Sequence, residues 1–410
     1  MVPEEWRLGT IDEIAQVASG GTPNRKKGEC WDGAIPWVTT SEVKFGTIFD
    51  TTEKITEAGI SNSSAKLFPI NTILMAMYGQ GKTRGKVAKL GIEASTNQAC
   101  AAIILNEHFD TDYYLQFLTS RYENIRELSN AGGQENLSLG IVKSIQVPIP
   151  PLPEQKKIAQ ILSTWDKAIT MTEQLLANSQ QQKKALMQQL LTGKKRFPGF
   201  SGQWKDYYLT DVAKIIVSPV DKKSERHEIP VRLCNYTDVY YNAKITRNMP
   251  FMEATAKQSE IDRFTLKEGD VVITKDSETP GDIAVPAYVA EDLEGVVCGY
   301  HLAIVRPKSR LADGVFLSYL FSIPQTRYYF FTLATGATRF GLSIGGINKA
   351  HFRLPPLQEQ KAISSVLSIQ DNEIENLEET VTRLKTEKKA LMQQLLTGKR
   401  RVKLDNRKVA

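Results

Sequence analysis

The chain has 410 residues, 41% of them hydrophobic and 24% charged, which suits two folded domains and excludes a disordered or fibrous protein. Its 52 Lys and Arg against 46 Asp and Glu give a formal net charge of +6, which permits a polyanionic partner without requiring one. No apolar run approaches the roughly 18 residues of a membrane span, and no export signal opens the chain, so we expect a cytoplasmic protein.

Residues 1–150 are predicted to form the first globular domain, because short β-like runs and glycines dominate there and helical patterns are few. Polar and basic side chains cluster in its predicted loops. Arg and Lys suit guanine N7 and O6, whereas Gln and Asn suit adenine, so these loops are candidates for DNA contact. For each residue, a merely solvated loop remains the alternative. The candidates are Asn24, Arg25, Lys26, Lys27, Gln80, Lys82, Thr83, Arg84, Lys86, Gln134 and Asn136.

One of these loops, 76–83, satisfies a relaxed Walker A pattern and follows the apolar run 73–75. A phosphate-binding loop must open a helix whose N-terminus faces the phosphates, yet Arg84 and Gly85 follow at once and disfavour a helix. The corresponding loop of the second domain, 274–281, lacks the pattern. We therefore favour a DNA-contacting loop, and a nucleotide-binding protein stays open as a lesser alternative.

A long helix is predicted within residues 151–197. It begins after a Pro-rich stop at Pro153 and ends at Gly193, which is followed by basic residues. Its seam positions alternate in steps of four and three, which is a heptad pattern with polar interruptions. The seam residues are Ile158, Leu162, Trp165, Ile169, Thr172, Leu176, Ser179, Lys183, Leu186 and Leu190.

Residues 198–355 are predicted to form a second globular domain that resembles the first. Segments 8–14 and 209–215 match, as do 97–104 and 299–305, whose apolar runs predict buried strands. The loops differ, which suits two domains that recognise different targets on one frame. The candidate DNA-binding residues of this domain are Lys222, Lys223, Arg226, His227, Lys275 and Arg339.

Residues 356–402 repeat the long helix, and 403–410 form a basic tail. Sliding the chain by 205 residues aligns 151–197 with 356–402 without a gap and gives 24 identities in 47 positions. The second helix ends at Gly398. Its seam residues are Ile363, Leu367, Gln370, Ile374, Leu377, Val381, Leu384, Lys388, Leu391 and Leu395.

Each helix is the best partner for the other, because pairing buries both seams. The second helix starts where the second domain ends, and that domain starts where the first helix ends, so chain order favours antiparallel pairing. We predict an α+β protein in which two long helices form an antiparallel coiled coil between two domains, with a pseudo-two-fold internal repeat. Two helices packed separately on the domains remain the alternative. The basic clusters 194–196 and 399–401 are expected to complement the helix C-termini.

No motif predicts catalysis or a bound metal. The cysteines are far apart and form no CxxC pair, so neither a disulfide framework nor a zinc site is indicated. Cys298 and His301 would give two ligands without a second pair, and a core strand is the better interpretation. We find no glycine-rich cofactor loop and no clustered carboxylates, so we expect a non-catalytic chain without a cofactor of its own.

The sequence resembles the specificity (S) subunits of type I restriction-modification enzymes over essentially its whole length. Segment 20–23 with 31–42 looks like the opening of many such subunits. The paired segments 150–158 and 355–363, with the doubled Leu-Met-Gln-Gln-Leu-Leu-Thr-Gly-Lys, are similar to that family's helical spacers. Gln358 stands where the first copy has Pro153, and this departure is small.

The resemblance implies that each domain is a target recognition domain for one part of a split, asymmetric DNA site. It implies that the helices hold the domains at a set separation and bind two modification subunits, which carry S-adenosylmethionine and methylate adenine. Restriction subunits, where present, would add ATP- and Mg²⁺-dependent cleavage. None of that chemistry would reside in this chain. A coiled-coil adaptor that tethers two protein-binding domains is the alternative function.

Overall fold

The computed structural model describes residues 3–79, 82–128, 136–221 and 223–404. The chain divides into two compact units. Unit 1 comprises Met1–Gln174 and Glu378–Ala410, and unit 2 comprises Leu175–Leu377. Each unit thus combines one sheet-containing domain with parts of both long helices.

Ten short strands and five short helices are described in the sheet domain of unit 1. The strands are β1 (Arg7–Thr10), β2 (Ala15–Ser19), β3 (Trp31–Val38), β4 (Thr47–Ile48), β5 (Glu53–Ile55), β6 (Ile73–Ala76), β7 (Val87–Leu90), β8 (Ser95–Thr96), β9 (Cys100–Leu105) and β10 (Gln146–Ile149). The helices are α1 (Ile11–Ile14), α2 (Glu57–Ser61), α3 (Thr111–Ser120), α4 (Tyr122–Glu127) and α5 (Leu139–Ser144). The first long helix, α6 (Leu152–Leu190), follows.

The second domain repeats this order. Its strands are β11 (Lys205–Tyr208), β12 (Ala213–Val217), β13 (Ile229–Cys234), β14 (Lys244–Ile245), β15 (Met252–Ala256), β16 (Val271–Thr274), β17 (Asp276–Ser277), β18 (Pro286–Val289), β19 (Val297–Cys298), β20 (Leu302–Pro307), β21 (Phe340–Gly341) and β22 (His351–Leu354). Its helices are α7 (Leu209–Val212), α8 (Tyr236–Tyr240), α9 (Gln258–Phe264), α10 (Gly314–Ser322), α11 (Pro324–Leu333) and α12 (Ile344–Lys349). The second long helix is α13 (Leu357–Leu395).

The sheets of the two domains share one topology. Unit 1 contains a five-stranded sheet ordered β2-β9-β6-β7-β4, a three-stranded sheet ordered β5-β3-β8 and the pair β1-β10. Unit 2 contains the corresponding orders β12-β20-β16-β18-β14, β15-β13-β19 and β11-β22, with the small pair β17-β21 in addition. The loose sequence match between the domains therefore reflects a duplicated frame, and the predicted α+β fold with an internal repeat is confirmed.

Alternation of side chains explains why the central strands are apolar throughout. In β6, Ile73 and Met75 belong to one buried cluster and Leu74 and Ala76 to another. Because successive side chains of a strand point to opposite faces, both faces of this sheet are covered. The equivalent strand β16 divides in the same way between two clusters.

The predicted heptad seams are confirmed: every seam residue of α6 and α13 is buried or half-buried. Within unit 1, Lys388 pairs with Asp166 at 2.6 Å and Lys385 with Glu173 at 2.7 Å. Residue numbers therefore fall along one helix as they rise along the other, which is antiparallel pairing. A 39-residue helix is about 58 Å long at ~1.5 Å per residue.

Within unit 2, Ser179 donates to Glu373 at 3.1 Å, and Lys183 pairs with Asp371. These residues follow the same antiparallel order as the pairs of unit 1. The polar interruptions Lys183 and Lys388 are thus explained, because each meets a carboxylate of the facing helix instead of an apolar side chain.

Glycines end both long helices as predicted. Gly193 and Gly398 have φ values of +71° and +73°, a conformation that suits glycine after a helix C-terminus. The expectation that the following basic residues serve the helix C-termini is wrong for Arg196 and Arg401. Arg196 binds the carboxylate of Glu359, and Arg401 binds that of Glu154, so each pairs with a residue near the start of the other long helix.

Among the described residues, no helix is both long and apolar enough to cross a membrane.

Candidate nucleic-acid interface

Three loop segments of unit 1 are joined by backbone hydrogen bonds at the end of strand β6. The Met77 amide donates to the Ala99 carbonyl at 2.8 Å, and the Leu137 amide donates to the Met77 carbonyl at 3.0 Å. We call this meeting of residues 77–79, 82–86, 97–100 and 136–137 loop junction 1. It brings the predicted loop 82–86 and Asn136 to one place.

Unit 2 contains the same arrangement after the equivalent strand β16. The Lys275 amide donates to the His301 carbonyl at 2.9 Å, and the Leu342 amide donates to the Lys275 carbonyl at 2.8 Å. We call the meeting of residues 275–285, 299–302 and 339–342 loop junction 2. The two units therefore have the same backbone hydrogen bonds at this point. Unit 2 has Lys275 and His301 where unit 1 has Met77 and Ala99.

The hairpin of loop junction 1 is not a phosphate-binding loop of the Walker type. Residues 82–85 form a turn, which the Lys86 amide closes by donating to the Thr83 carbonyl at 3.1 Å, and strand β7 begins at Val87. A Walker loop needs a helix at this point, because the helix N-terminus holds the phosphates. The nucleotide-binding alternative therefore lacks its required element.

The candidate side chains of this hairpin differ in exposure. Lys82 is exposed, and its carbonyl accepts a hydrogen bond from the Tyr122 hydroxyl at 2.5 Å. Thr83, Arg84 and Lys86 are half-buried, and the Lys86 ammonium lies 5.9 Å from the centre of the Phe45 ring. The loop thus presents Lys82 most freely.

Loop 22–27 lies beside loop junction 1. The Thr22 hydroxyl hydrogen-bonds to the side chain of Gln98, and the Gly21 amide donates to the Thr96 carbonyl at 2.8 Å. The Asn24 side chain accepts from the Lys26 amide at 3.0 Å, which fixes the turn that carries the basic residues. The structure therefore brings the candidate loops of unit 1 together.

Arg25 has a structural partner that its sequence neighbourhood did not indicate. Its guanidinium pairs with both carboxylate oxygens of Glu53 and lies 4.0 Å from the centre of the Trp31 ring. The hydrogen bond from Arg25 also holds the pKa of Glu53 below its ordinary value. Lys26 and Lys27 are exposed, and Lys27 pairs only loosely with Glu29 at 3.8 Å. These two lysines are freer than Arg25 to meet a phosphate.

At loop junction 2, Lys275 is held rather than free. Its ammonium pairs with Asp276 at 2.8 Å and lies 4.8 Å from the centre of the Tyr300 ring. His301 hydrogen-bonds to the same carboxylate at 3.1 Å. Burial alone would raise the pKa of Asp276, but the hydrogen bonds from Lys275 and His301 outweigh it and lower this pKa. Arg339, by contrast, is exposed in the turn that precedes β21.

The remaining candidates of unit 2 lie elsewhere. Lys223, Arg226 and His227 are exposed in the segment before β13. The neighbouring Glu225 amide donates to the Thr255 hydroxyl at 2.8 Å, which places this segment beside the three-stranded sheet. Within the described residues, no hydrogen bond or ion pair joins it to loop junction 2. The predicted candidates Gln80, Gln134 and Lys222 lie outside the described residues.

Exposed side chains at the junctions were missed by the sequence analysis. They include Tyr78, Gln98 and Tyr300. Segments 97–104 and 299–305 were interpreted as buried strands, and that interpretation concealed the turn at the start of each. The match between the two segments was the signal that could have revealed these positions.

The cysteines are core residues. All four are buried and free of disulfides, and burial raises the pKa of the Cys100 thiol to about 12, so this thiol stays protonated at neutral pH. Cys298 packs in the core, whereas His301 pairs with Asp276, which agrees with the core-strand interpretation. Throughout the described ranges, no group of three or more His, Cys, Asp or Glu is placed to hold a metal ion.

Comparison with known proteins gives one consistent family. A family model described as "Type I restriction modification DNA specificity domain" matches residues 3–178 and 201–385. The chain is 25% identical to the type I restriction enzyme MjaVIII specificity subunit of Methanocaldococcus jannaschii, over 98% of this chain and 94% of that protein. It is 31% identical to the EcoR124I/EcoR124II specificity subunit of Escherichia coli, over 40% of this chain and 41% of that protein.

Solved structures show the same fold. The S subunit of a type I restriction-modification system from M. genitalium has a TM-score of 0.60 at 13% identity, over 96% of both chains. A chain from a structure concerned with complex assembly and conformational transition of the type I R-M system has a TM-score of 0.58 at 18% identity, over 97% of this chain and 99% of that one.

Proposed function

Because the chain belongs to the family of type I restriction-modification DNA specificity proteins, we propose that it recognises a bipartite, asymmetric DNA sequence and carries no catalytic activity itself. Unit 1 recognises one half-site and unit 2 the other. Asn24, Lys26, Lys27, Lys82 and Asn136 are exposed candidates of unit 1, and Arg25 is exposed too but pairs with Glu53.

The observation that carries this proposal is the repeated loop junction. Two units share the same strand order and the same backbone hydrogen bonds where the loops meet. Their side chains at these points differ, as with Met77 and Lys275. A constant frame with variable loops is how proteins present different recognition surfaces. This arrangement supports the proposal of two half-sites of different sequence.

The long helices support a second part of the proposal, which concerns protein partners. Gln116 donates to Asp166 at 2.6 Å in unit 1, and Tyr319 donates to Asp371 at 2.5 Å in unit 2. Each of these aspartates also pairs with a seam lysine. A partner that docks on this helix-and-domain surface in one unit finds an equivalent surface in the other, so two modification subunits bind.

The partner subunits then carry out methylation and cleavage. The modification subunits carry S-adenosylmethionine and methylate adenine within the recognised sequence. Restriction subunits, where present, use ATP and Mg²⁺ to cleave DNA. This chain supplies double-stranded DNA binding and the placement of those subunits, and it needs no cofactor of its own.

Methylation mapping tests the proposal. The host's modification subunit is expressed with and without this chain in cells that lack other adenine methylation, and their genomes are sequenced by a long-read method that detects methyladenine. We expect methylation at one split sequence only when both proteins are present. Methylation that is absent or unchanged with the chain would reject the proposal, and stable partner binding without DNA binding would favour the adaptor alternative.

A further inference from the structure

The two domains carry equivalent exposed turns at the junctions. In unit 1 the turn Asn97–Cys100 connects β8 to β9, and the Cys100 amide donates to the Asn97 carbonyl at 3.2 Å. In unit 2 the turn Gly299–Leu302 connects β19 to β20 and is closed in the same way at 3.3 Å. The second residue of each turn is exposed: Gln98 in unit 1 and Tyr300 in unit 2.

The backbone before each turn is fixed as well. The Asn97 amide donates to the Val38 carbonyl at 3.1 Å, and the Gly299 amide donates to the Cys234 carbonyl at 2.9 Å. Both turns thus leave the three-stranded sheet at the same point and enter the five-stranded sheet at the same point. Gln98 and Tyr300 occupy one structural position with two different side chains.

The Gln98 side-chain amide is held by one hydrogen bond and has further hydrogen-bonding capacity. Its oxygen accepts a hydrogen bond from the Thr22 hydroxyl, and its nitrogen donates no hydrogen bond to any of the described residues. An amide of this kind can donate to adenine N7 while its oxygen accepts from the adenine N6 amine. The second lone pair of the oxygen remains available for that contact.

The Tyr300 ring is contacted by two neighbouring side chains although it is not buried. It is 49% exposed, yet the Lys275 ammonium lies 4.8 Å from its ring centre and the His301 ring lies 4.8 Å away at 75°. Lys275 and His301 are themselves held by Asp276. A tyrosine held in this way offers a large contact area with little loss of conformational entropy on binding. Its ring can contact a thymine methyl group and its hydroxyl can hydrogen-bond to a base edge.

We propose that Gln98 and Tyr300 are equivalent specificity-determining residues, one for each half-site, and this inference rests on the proposed function. Lys275 is then a positioning residue for Tyr300 rather than a direct DNA contact. The same position in the two domains is occupied by an amide and by an aromatic side chain, which gives the half-sites different base preferences.

The test uses the full chain with its modification subunits and measures methylation of DNA duplexes that carry every single-base change in either half-site. We expect Gln98→Ala to reduce the preference for one base in the first half-site by roughly 5- to 150-fold, which is the discrimination of one good base contact. Tyr300→Ala should reduce a preference in the second half-site only, by about tenfold or more. Each variant is the control for the other.

Tyr328→Ala is a second control, because Tyr328 is 69% exposed on α11 and lies outside the junction; it should leave both half-sites unchanged. If Tyr300→Ala does not fold, Tyr300→Gln and Tyr300→Phe are measured in its place. Unchanged preferences in the Gln98 and Tyr300 variants would overturn this inference and leave the proposed function intact. Absence of bipartite methylation by the unmodified chain would instead reject the proposed function and this inference together.

Discussion

The guanidinium of Arg401 donates two hydrogen bonds to the carboxylate of Glu154, at 2.7 and 2.9 Å. Glu154 is only 2% exposed and also accepts from the Trp6 indole at 2.9 Å. Arg196 and Glu359 repeat the pair in unit 2 at 2.8 and 2.7 Å. Each pair connects the segment after one long helix to the start of the other.

The two carboxylates differ in one hydrogen bond, and this difference makes a prediction. The indole nitrogen of Trp204 has no hydrogen-bond partner within the described residues, whereas that of Trp6 binds Glu154. Glu154→Ala should therefore lower the free energy of unfolding by about 1–3 kcal/mol more than Glu359→Ala does, because it leaves an additional buried donor unsatisfied. Denaturant unfolding followed by tryptophan fluorescence measures this.

Glu5→Ala provides the matched control for that comparison. Glu5 also binds Arg401, but its side chain is 71% exposed, so its loss should cost less than about 1 kcal/mol. Equal effects of Glu154→Ala and Glu359→Ala would show that the Trp6 hydrogen bond contributes nothing to stability.

The ion pairs between the two long helices can be tested by exchanging their charges. Lys388 is 13% exposed and pairs with Asp166 at 2.6 Å. Asp166→Lys should destabilise the protein by about 1 kcal/mol, because two ammonium groups then meet at the helix seam. The double variant Asp166→Lys with Lys388→Asp should recover most of that loss in a double-mutant cycle of thermal unfolding. Additive effects of the two changes would contradict direct pairing in solution.

Freely exposed lysines should act through phosphates. Lys26→Ala and Lys82→Ala are expected to weaken binding to all DNA sequences similarly and to reduce the slope of log affinity against log salt by about one each. Arg25→Ala should mainly lower stability, because Arg25 binds Glu53 and stacks on Trp31. DNA titrations at several salt concentrations, with thermal unfolding alongside, separate the two effects. Unchanged salt slopes for both lysine variants would exclude them from the interface.

Helix length should set the unread gap between the half-sites. Four residues inserted after Gln174 and four after Leu377 add about 6 Å to each long helix, which corresponds to one or two base pairs at roughly 34 Å per 10 base pairs. Methylation mapping should show a gap longer by about that amount. Insertion into one helix alone is the control, because it mismatches the seams and should lower stability. A gap of unchanged length in the double insertion would contradict the prediction.

The sequence alone predicted the features that depend on local periodicity. The seams of both long helices and their terminal glycines, Gly193 and Gly398, follow from heptad spacing and from the conformational freedom of glycine. The partners of Arg401 and Arg25 could not be predicted in the same way. Arg401 and Glu154 are 247 positions apart, and no local pattern specifies which carboxylate a folded chain brings to an arginine.

In the candidate interface, too, the sequence predicted some features and not others. Loop composition correctly indicated exposed lysines such as Lys26 and Lys82, because basic residues in loops are seldom buried. It missed the exposure of Gln98 and Tyr300, because both stand at the edge of apolar runs that were interpreted as strands. Their exposure depends on a turn whose hydrogen bonds join segments that are distant in sequence. Loop composition also indicated Lys275 as a DNA-binding candidate, although its ammonium group pairs with the neighbouring Asp276.

Exchange of one domain shows whether each unit recognises its own half-site. Residues 1–150 are replaced by the corresponding domain of a relative, and genomic adenine methylation is mapped with the same modification subunits. We expect one half-site to change while the other half-site keeps its sequence, because each unit recognises its own half. Simultaneous change of both half-sites, or retention of both, would contradict independent recognition by the two units.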